Sequence, residues 1–379
     1  MPVSPLPAIY ETLTAELREL LPDRSGVIDA HTHLGADEDG QTLELASLIA
    51  MLDELDPAAH ACVFPLHDPQ RRPAYRTPND RVLAWAAQAE GRLFPFCRLD
   101  PADHAVAEGE RCLALGARGI KLHPRAQAFG FETPAARAIF ELAGEARVPI
   151  LIHAGRGMPP MDPLADLALR YPEVVLILAH GAIADQGMFA TRLAGHPSIY
   201  YDTSCFSAVD LIELFARVPA ERIVFASDPP YGRPLGGLHQ ALRVAAYAGL
   251  DHAERAALAG GTIRAVLERR PPATPSPPRV AQIRPASGRL RRVEGYLLMG
   301  LGAVSAGGPP LVAARALPAV ALARAACRDP EPGTVGAELE RIDALLAGAE
   351  ELIGRDGDAG RPAFGLLLAA ATIAATAPV

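Results

Sequence analysis

The stretch GVIDAHTHLG, residues 26–35, joins a short apolar run to two histidines that are separated by one residue. Such a run is typical of a parallel strand that is buried on both faces. Because successive side chains of a strand point to opposite faces, we expect His31 and His33 to share one face. The stretch therefore predicts a strand that presents two imidazoles at its carboxyl end.

Seven more apolar runs follow, with helical patterns between them. The predicted strands are residues 26–29, 61–66, 93–99, 119–123, 148–153, 174–180, 198–203 and 222–228. The clearest intervening helices are residues 43–55, 79–90, 133–146 and 162–171. Eight alternating units over about 250 residues predict an α/β protein with a (β/α)8 TIM barrel, allowing for distortion. The competing open, doubly wound sheet lacks its usual GxGxxG after the first strand.

The rest of the chain differs in composition from the barrel region. We divide it into an N-terminal helical cap (1–25), the barrel (26–270), a proline-rich linker (271–285) and an Ala- and Leu-rich, all-α C-terminal appendage (286–379). Within these parts, residues 9–21 and 335–353 have helical periodicity. The tail, residues 363–379, is predicted to be a packed helix because a membrane span needs about 20 more strongly apolar residues.

The net charge bears on the partners that we expect, and cysteine usage bears on the compartment. The net charge of -8 argues against a nucleic-acid groove, which needs a basic face, and gives no sign of a membrane-binding surface. The five cysteines form no CxxC pair and are expected to be reduced and mostly buried. The first residues do not resemble a signal peptide. We therefore expect a cytoplasmic protein, and the apolar tail is compatible with a homodimer.

Polar residues recur where the predicted strands end. Strand four ends in Lys121 and His123, strand five in His153, strand six in His180 and strand eight in Asp228. In a (β/α)8 barrel the carboxyl ends of all strands meet at one mouth, where catalytic groups converge. We therefore expect these side chains to lie near the two histidines of strand one.

Imidazoles and a carboxylate at one mouth predict a divalent metal site. Zinc is the first choice, and manganese or another cation is left open. Catalytic sites use about three protein ligands and keep one position for water, whose pKa falls to about 7.

The phrases GVIDAHTHLG, GIKLHP, ILIHAG, LILAHGA and VFASDPPYG resemble the amidohydrolase superfamily, over about residues 25–270. Residues 79–101 also look like its amidohydrolase-related branch, which contains decarboxylases, hydratases and lactonases of carboxylic acids. The resemblance implies metal ligands at His31, His33, His153 and Asp228. It implies that His180 is a general acid/base or a ligand of a second metal.

Three further residues are candidates for substrate binding. Arg156 lies three residues past His153, and an ordinary solvated arginine is the alternative interpretation. His123 shares its strand face with Lys121 and could equally make a structural hydrogen bond. Tyr231 follows Asp228 on the last loop. The histidines in predicted helices or loops are expected at the surface; they are His60, His104, His196, His239 and His252.

Three functions remain open at this point. The leading interpretation is hydrolysis of a small polar amide, lactone or ester by metal-activated water, with Asp228, His180 and Lys121 as catalytic residues. The second is a metal-dependent decarboxylase or hydratase of a small carboxylic acid at the same site. The third is a non-catalytic scaffold, which predicts a damaged metal site, whereas no expected ligand is missing.

Lys121 is the single lysine among 36 basic residues, so a plain positive charge here would have been supplied by arginine. We predict that Lys121→Arg lowers the rate by on the order of tenfold or more, because arginine cannot lose its proton whereas a buried lysine can. Steady-state kinetics and metal content per chain test this prediction, and an unchanged variant contradicts it.

The same measurements distinguish two roles for the amine. A carbamate formed on Lys121 would bridge two metals, with His31, His33 and Asp228 on one and His153 and His180 on the other. An ammonium at a mononuclear site would instead bind a substrate carboxylate, and we favour this form. Two metals per chain and reactivation by bicarbonate indicate the carbamate, and one metal without a bicarbonate effect indicates the ammonium.

Overall fold

The computed structural model describes residues 6–204, 207–279, 287–306, 309–328, 333–355 and 360–377. Its centre is a nine-stranded sheet in which eight strands are parallel. The strands are β1 (Ile28–Ala36), β2 (Thr42–Leu43), β3 (His60–Pro65), β4 (Leu93–Arg98), β5 (Gly119–Leu122), β6 (Ile150–Ile152), β7 (Leu176–Leu178), β8 (Ile199–Asp202) and β9 (Ile223–Val224). Each predicted strand overlaps a parallel strand, and β2 adds a short antiparallel pair to the end of β1.

Main-chain hydrogen bonds join β1 to the segment that follows β9. Ala30 N donates to Phe225 O at 2.9 Å, and Asp228 N donates to His31 O at 2.9 Å. These bonds bring the two ends of the sheet together. The prediction of a (β/α)8 barrel is confirmed, with a distortion at the two-residue strand β9.

Helices alternate with the strands and pack on their outer faces in one large apolar core. They are α2 (Leu45–Asp53), α3 (Arg76–Gln88), α4 (Ala105–Ala114), α5 (Pro124–Gln127), α6 (Pro134–Ala146), α7 (Asp162–Arg170), α8 (Gln186–Arg192), α9 (Ala208–Arg217), α10 (Pro234–Tyr247), α11 (His252–Ala256) and α12 (Thr262–Leu267). Four of them, α2, α3, α6 and α7, occupy the positions of the predicted helices.

A separate apolar cluster fills the interior of the barrel. Phe96 on β4, Leu151 on β6 and Tyr200 on β8 belong to it, as does Ala226 just after β9. Strand alternation places the residue two positions later on the same inner face. Those next residues are polar: Arg98, His153, Asp202 and Asp228. The site is therefore the layer directly above the apolar filling of the barrel.

β1 reaches this layer through a bulge. Asp29 pairs with Ala61, but Thr32 pairs with Val63, so β1 has one residue more than β3 in this interval. An extra residue changes which side chains face inward. Ile28 and Ala30 face the interior below the bulge, and His31 and His33 face it above.

The C-terminal appendage consists of four helices, α13 (Gly288–Ala306), α14 (Pro309–Cys327), α15 (Gly333–Arg355) and α16 (Gly360–Thr376). They share an apolar core with Ile9 and Leu13 of the N-terminal helix α1 (Leu6–Leu20). Helix α16 also packs against the barrel helices α9 and α10. The appendage is thus attached to the barrel beside the helices that follow β8 and β9.

A partly buried carboxylate joins α1 to both parts of the chain. Glu16 accepts a hydrogen bond from His239 Nε2 of α10 at 2.6 Å, and it also pairs with Arg243 and Arg341. Burial alone would raise the pKa of Glu16, but these partners lower it below its ordinary value. His239 is 0% exposed, so the prediction of a surface histidine there is wrong.

Other expectations fall partly outside the described residues. Residues 271–279 of the predicted linker have no regular secondary structure, and residues 280–285 lie outside the described part. Four cysteines are buried and free, namely Cys62, Cys97, Cys112 and Cys327, and Cys205 is also outside it. A search of the described helices found none that is both long and apolar enough to cross a bilayer.

We predict that a chain ending at Arg270 keeps its metal site, because every proposed ligand precedes that residue. It should aggregate, because removal of α16 uncovers the apolar faces of α9 and α10. Metal content per chain and size-exclusion chromatography test both statements against the full chain. A folded, truncated chain that binds no metal contradicts the proposed division into a barrel and an appendage.

Candidate metal centre

Three potential ligand atoms meet at the mouth of the barrel. His31 Nε2 and His33 Nε2 are 3.2 Å apart, and they lie 3.2 Å and 3.1 Å from Asp228 Oδ1. Tetrahedral zinc ligands at 2.0–2.1 Å from the ion are separated by about 3.4 Å. The three atoms thus lie slightly closer together than the ligands of one zinc ion, which is close enough for them to share a small cation.

The chemistry of these atoms also fits a cation. Burial lowers the pKa of His31 to about 3 and that of His33 well below its ordinary value, so both rings are neutral. Burial raises the pKa of Asp228, and its Oδ1 has no hydrogen-bond partner among the described residues. Lone pairs that converge in a buried space repel one another unless a proton or a metal ion lies between them.

Asp202 orients the ligands, and the sequence analysis missed it. Its Oδ2 accepts from His31 Nδ1 at 2.8 Å, which leaves the lone pair on His31 Nε2. Its Oδ1 accepts from the main-chain N of His180 at 2.8 Å and from Ser204 Oγ at 2.5 Å. Burial would raise the pKa of Asp202, but His31, His180 and Ser204 lower it, so the carboxylate is ionised. The signal was present, because Asp202 ends strand β8.

His180 lies next to the triad. Ligand atoms of His31, His180 and Asp228 lie within 4.8 Å of one another, and all three residues are buried. His180 Nδ1 is 2.9 Å from Ser204 O, and His180 Nε2 is 3.0 Å from His153 Nδ1. His180 is therefore a fourth candidate metal ligand, next to the triad.

His153 and His123 form the other wall of the mouth. Their rings stack with centroids 3.8 Å apart and planes inclined by 12°. The predicted ligand His153 contacts His180 rather than the triad. His123 Nδ1 accepts from the main-chain N of Ala126 at 3.2 Å, which is the structural hydrogen bond that the sequence analysis kept as an alternative.

Lys121 lies beneath the triad and is fully buried. Its Nζ is 3.2 Å from His31 Nε2 and 4.6 Å from the centroid of the Phe64 ring. Burial lowers the pKa of Lys121 to about 7, so the amine can exist in either protonation state near neutrality. The ordinary pKa of lysine is about 10.4, which shows how strongly this position disfavours the charge.

The backbone at two of these residues is unusual. Asp228 and His180 both have φ of 58°, in the left-handed region. This conformation costs a residue with a side chain about 1–3 kcal/mol and persists only where the surroundings impose it. Gly232 fits the loop after Asp228 because a Cβ there would lie 2.0 Å from Ser227 O. Such strain is common at functional sites.

The remaining predicted residues lie at the periphery. The Tyr231 ring meets the His33 ring edge-on at 5.9 Å, and its hydroxyl donates to Asp37 Oδ2 at 3.0 Å. The Arg156 side chain is 69% exposed and reaches Asp210 at 3.4 Å. Tyr231 thus borders the metal centre, whereas Arg156 faces solvent.

A (β/α)8 barrel whose mouth gathers histidine and aspartate side chains that could hold a metal ion has the architecture of metal-dependent TIM-barrel enzymes. Residues 28–269 match the family model described as amidohydrolase, and this match spans well over half of the chain. The chain therefore belongs to the amidohydrolase family of enzymes. A comparison with curated proteins found no matching relative.

Solved structures share the fold at low sequence identity. The IDCase of Metarhizium anisopliae in its apo form is 16% identical, with a TM-score of 0.52, and the alignment covers 64% of this chain and 97% of that one. The 4-oxalomesaconate hydratase of Rhodopseudomonas palustris is 18% identical, with a TM-score of 0.50 and coverage of 64% and 96%. At these identities the similarity bears on the barrel architecture alone.

We predict that Asp202→Asn weakens metal binding by about 10- to 100-fold, because the amide no longer fixes the His31 tautomer. Competition with a chromophoric chelator measures the metal affinity directly. Asp210→Asn is the matched control, since the Asp210 side chain hydrogen-bonds to the exposed Arg156 and to Ser207, and this variant should bind metal like the wild type. Equal affinities in both variants contradict the orienting role of Asp202.

Proposed function

We propose that the protein is a metal-dependent hydrolase of a small polar amide, lactone or ester. The observation that carries the proposal is the convergence of His31 Nε2, His33 Nε2 and Asp228 Oδ1 within 3.2 Å, with no hydrogen-bond partner for Asp228 Oδ1 in the described chain. When bound, a divalent cation polarises the scissile carbonyl and makes a nucleophile available from water near pH 7. Zinc suits this set of nitrogen and oxygen ligands, and manganese is the alternative.

Asp228 is proposed to accept and return the proton of the reaction. Its Oδ1 lies within 3.2 Å of both His31 Nε2 and His33 Nε2, so the carboxylate is next to the position where metal-bound water would react. His180 is proposed as a second proton-transfer group or an additional ligand. Its main-chain N is held by Asp202, so the ring position is fixed independently of the substrate.

We favour one metal per chain. His153 Nδ1 and His180 Nε2 lie 3.0 Å apart, and a proton on His153 Nδ1 accounts for this contact without a second ion, because His180 Nδ1 faces Ser204 O at 2.9 Å. Lys121 Nζ lies 3.2 Å from His31 Nε2, beside the proposed ligands. These contacts support a mononuclear centre beside which the Lys121 amine is proposed as a donor to substrate.

A decarboxylase or hydratase reaction of a small carboxylic acid is the alternative on the same residues. The observation that favours it is the buried amine of Lys121 beside the triad, 3.2 Å from His31 Nε2, where it can deliver a proton to a substrate held at the mouth. Membership in an enzyme family argues against the scaffold interpretation. The hydrolase and lyase reactions differ in their products, which a substrate screen separates.

We also propose a cytoplasmic setting, in keeping with the buried, free cysteines. The partner is proposed to be a small molecule rather than nucleic acid or a membrane, because the net charge is -8. A homodimer through the apolar appendage remains a proposal. Light scattering on the purified protein measures the oligomeric state.

We predict that His31→Ala and Asp228→Ala each abolish turnover and reduce bound metal from one ion to nearly none. The fold should persist, since residues at this end of a barrel serve chemistry more than stability. Mass spectrometry of bound metals, circular dichroism and a screen of amides, lactones, esters and aromatic carboxylates provide the measurements. His104→Ala is the control, because this exposed histidine lies outside the mouth. Full activity in both site variants would show that the metal centre is misassigned.

A further inference from the structure

The C-terminal appendage has no role in the proposed reaction, yet one of its helices lies against the barrel close to the site. Helix α16 packs against α13 and α15 of the appendage and against α9 and α10 of the barrel. Residues 363–377 are all buried except Gly365. Ala375 of this helix belongs to the core of the barrel rather than to that of the appendage. Helix α16 is therefore shared between the two parts of the chain.

The two barrel helices that α16 covers follow the strands with the acids of the metal centre. Asp202 ends β8, and α9 is the next helix along the chain. Asp228 follows β9, and the loop that it begins leads into α10 at Pro234. The far end of α10 is also fixed, because Arg243 Nε donates to Thr376 Oγ1 of α16 at 2.7 Å. Helix α16 thus lies along the outer side of the helix that starts nearest to Asp228.

Two successive glycines in the first turn of α10 allow close approach on two sides. A Cβ on Gly237 would lie 2.8 Å from Ser227 Cβ, which is closer than such atoms come in proteins. A Cβ on Gly236 would lie 3.5 Å from Gly365 Cα and 3.7 Å from Gly365 O of α16. The first turn of α10 is therefore held between Ser227 and the backbone of α16, and neither glycine places a side chain in the gap.

Ser227 is connected in turn to the proposed ligands. Its main-chain N donates to Asp29 Oδ1 at 3.1 Å, and its Oγ donates to Asp29 Oδ2. The same Asp29 Oδ1 accepts from the main-chain N of His31 at 3.1 Å. Asp29 is fully buried, and close-packed interiors transmit displacements. A shift of Ser227 would therefore move its covalent neighbour Asp228 relative to His31.

We propose that Gly236 and Gly237 are positioning residues that couple the appendage to the metal centre: α16, docked on α10, holds Ser227 and Asp228 in the geometry that binds the ion. This inference rests on the proposed function, because the ion is what Asp228 would bind. The site persists in a chain without the appendage, since all proposed ligands lie in the barrel, and the affinity is what the appendage changes. By linkage, the bound ion stabilises the docked position of α16 to the same extent.

Gly236→Leu in the full chain tests the contact between α10 and α16. The atoms beyond its Cβ would meet Gly365 and push α16 away, whereas the methyl of Gly236→Ala fits at an ordinary contact distance of 3.5 Å. Competition with a chromophoric chelator measures the affinity for zinc. We expect Gly236→Leu to weaken zinc binding about fivefold or more, and Gly236→Ala to restore the affinity of the wild type.

Gly300→Leu is the matched control for damage to the appendage itself. Gly300 is buried in α13, and a Cβ there would lie 3.6 Å from Ala319 Cβ of α14, so the added side chain disturbs packing within the appendage. This variant should lower the melting temperature without weakening zinc binding. An equal loss of zinc affinity in Gly300→Leu and Gly236→Leu overturns the inference, as does an unchanged affinity in a folded Gly236→Leu chain.

Hydrogen exchange of the wild type is an independent measurement, and it decides the matter if Gly236→Leu does not fold. Zinc should slow the exchange of main-chain amides in α16 more than in α14, which packs against α13 and α15. A chain that binds zinc but protects α16 no more than α14 refutes the coupling alone. A chain that binds no zinc refutes the proposed function and, with it, this inference.

Discussion

The carboxylate of Asp202 is the contact on which the geometry of the mouth depends. From the end of β8 it reaches the His31 ring on β1 and the main chain of His180 after β7. All of these groups are buried, so water and salt screen their interactions little. One ionised side chain therefore sets both the tautomer of His31 and the position of the turn that carries His180. The two histidines cannot be repositioned independently of each other.

Burial gives the centre its chemical character. Desolvation lowers the pKa of every histidine in the mouth and raises that of Asp228, so without a cation most of these groups are neutral. A bound divalent ion would reverse this for Asp228 by favouring its ionised form. The left-handed backbone at Asp228 and His180 indicates that stability is given up locally to hold these groups in place.

The positions of the strands and of most polar residues at the mouth could be predicted. Both follow from strand periodicity and from the convergence of the carboxyl ends of all strands at one mouth of a (β/α)8 barrel. Asp202 was overlooked because its strand end, unlike that of Asp228, lies outside the stretches that resemble the superfamily, and it contains no histidine. Arg98 was overlooked for another reason: in a chain with a single lysine, one more arginine carries no signal. The buried position of His239 depends on Glu16, more than 200 residues earlier, and no local pattern reports such a pairing.

The bulge in β1 has a consequence for how this barrel tolerates change in sequence. The register of a strand determines which half of its side chains faces inward, and a shift of one residue exchanges the two halves. If the same residues ran as a regular strand without the bulge, alternation from Ile28 and Ala30 would turn Thr32 toward the interior and both imidazoles toward the helices, with no change in composition. Substitutions in these four residues that favour a regular strand would thus misplace the proposed ligands. Related barrels could lose their metal by this route while keeping every histidine.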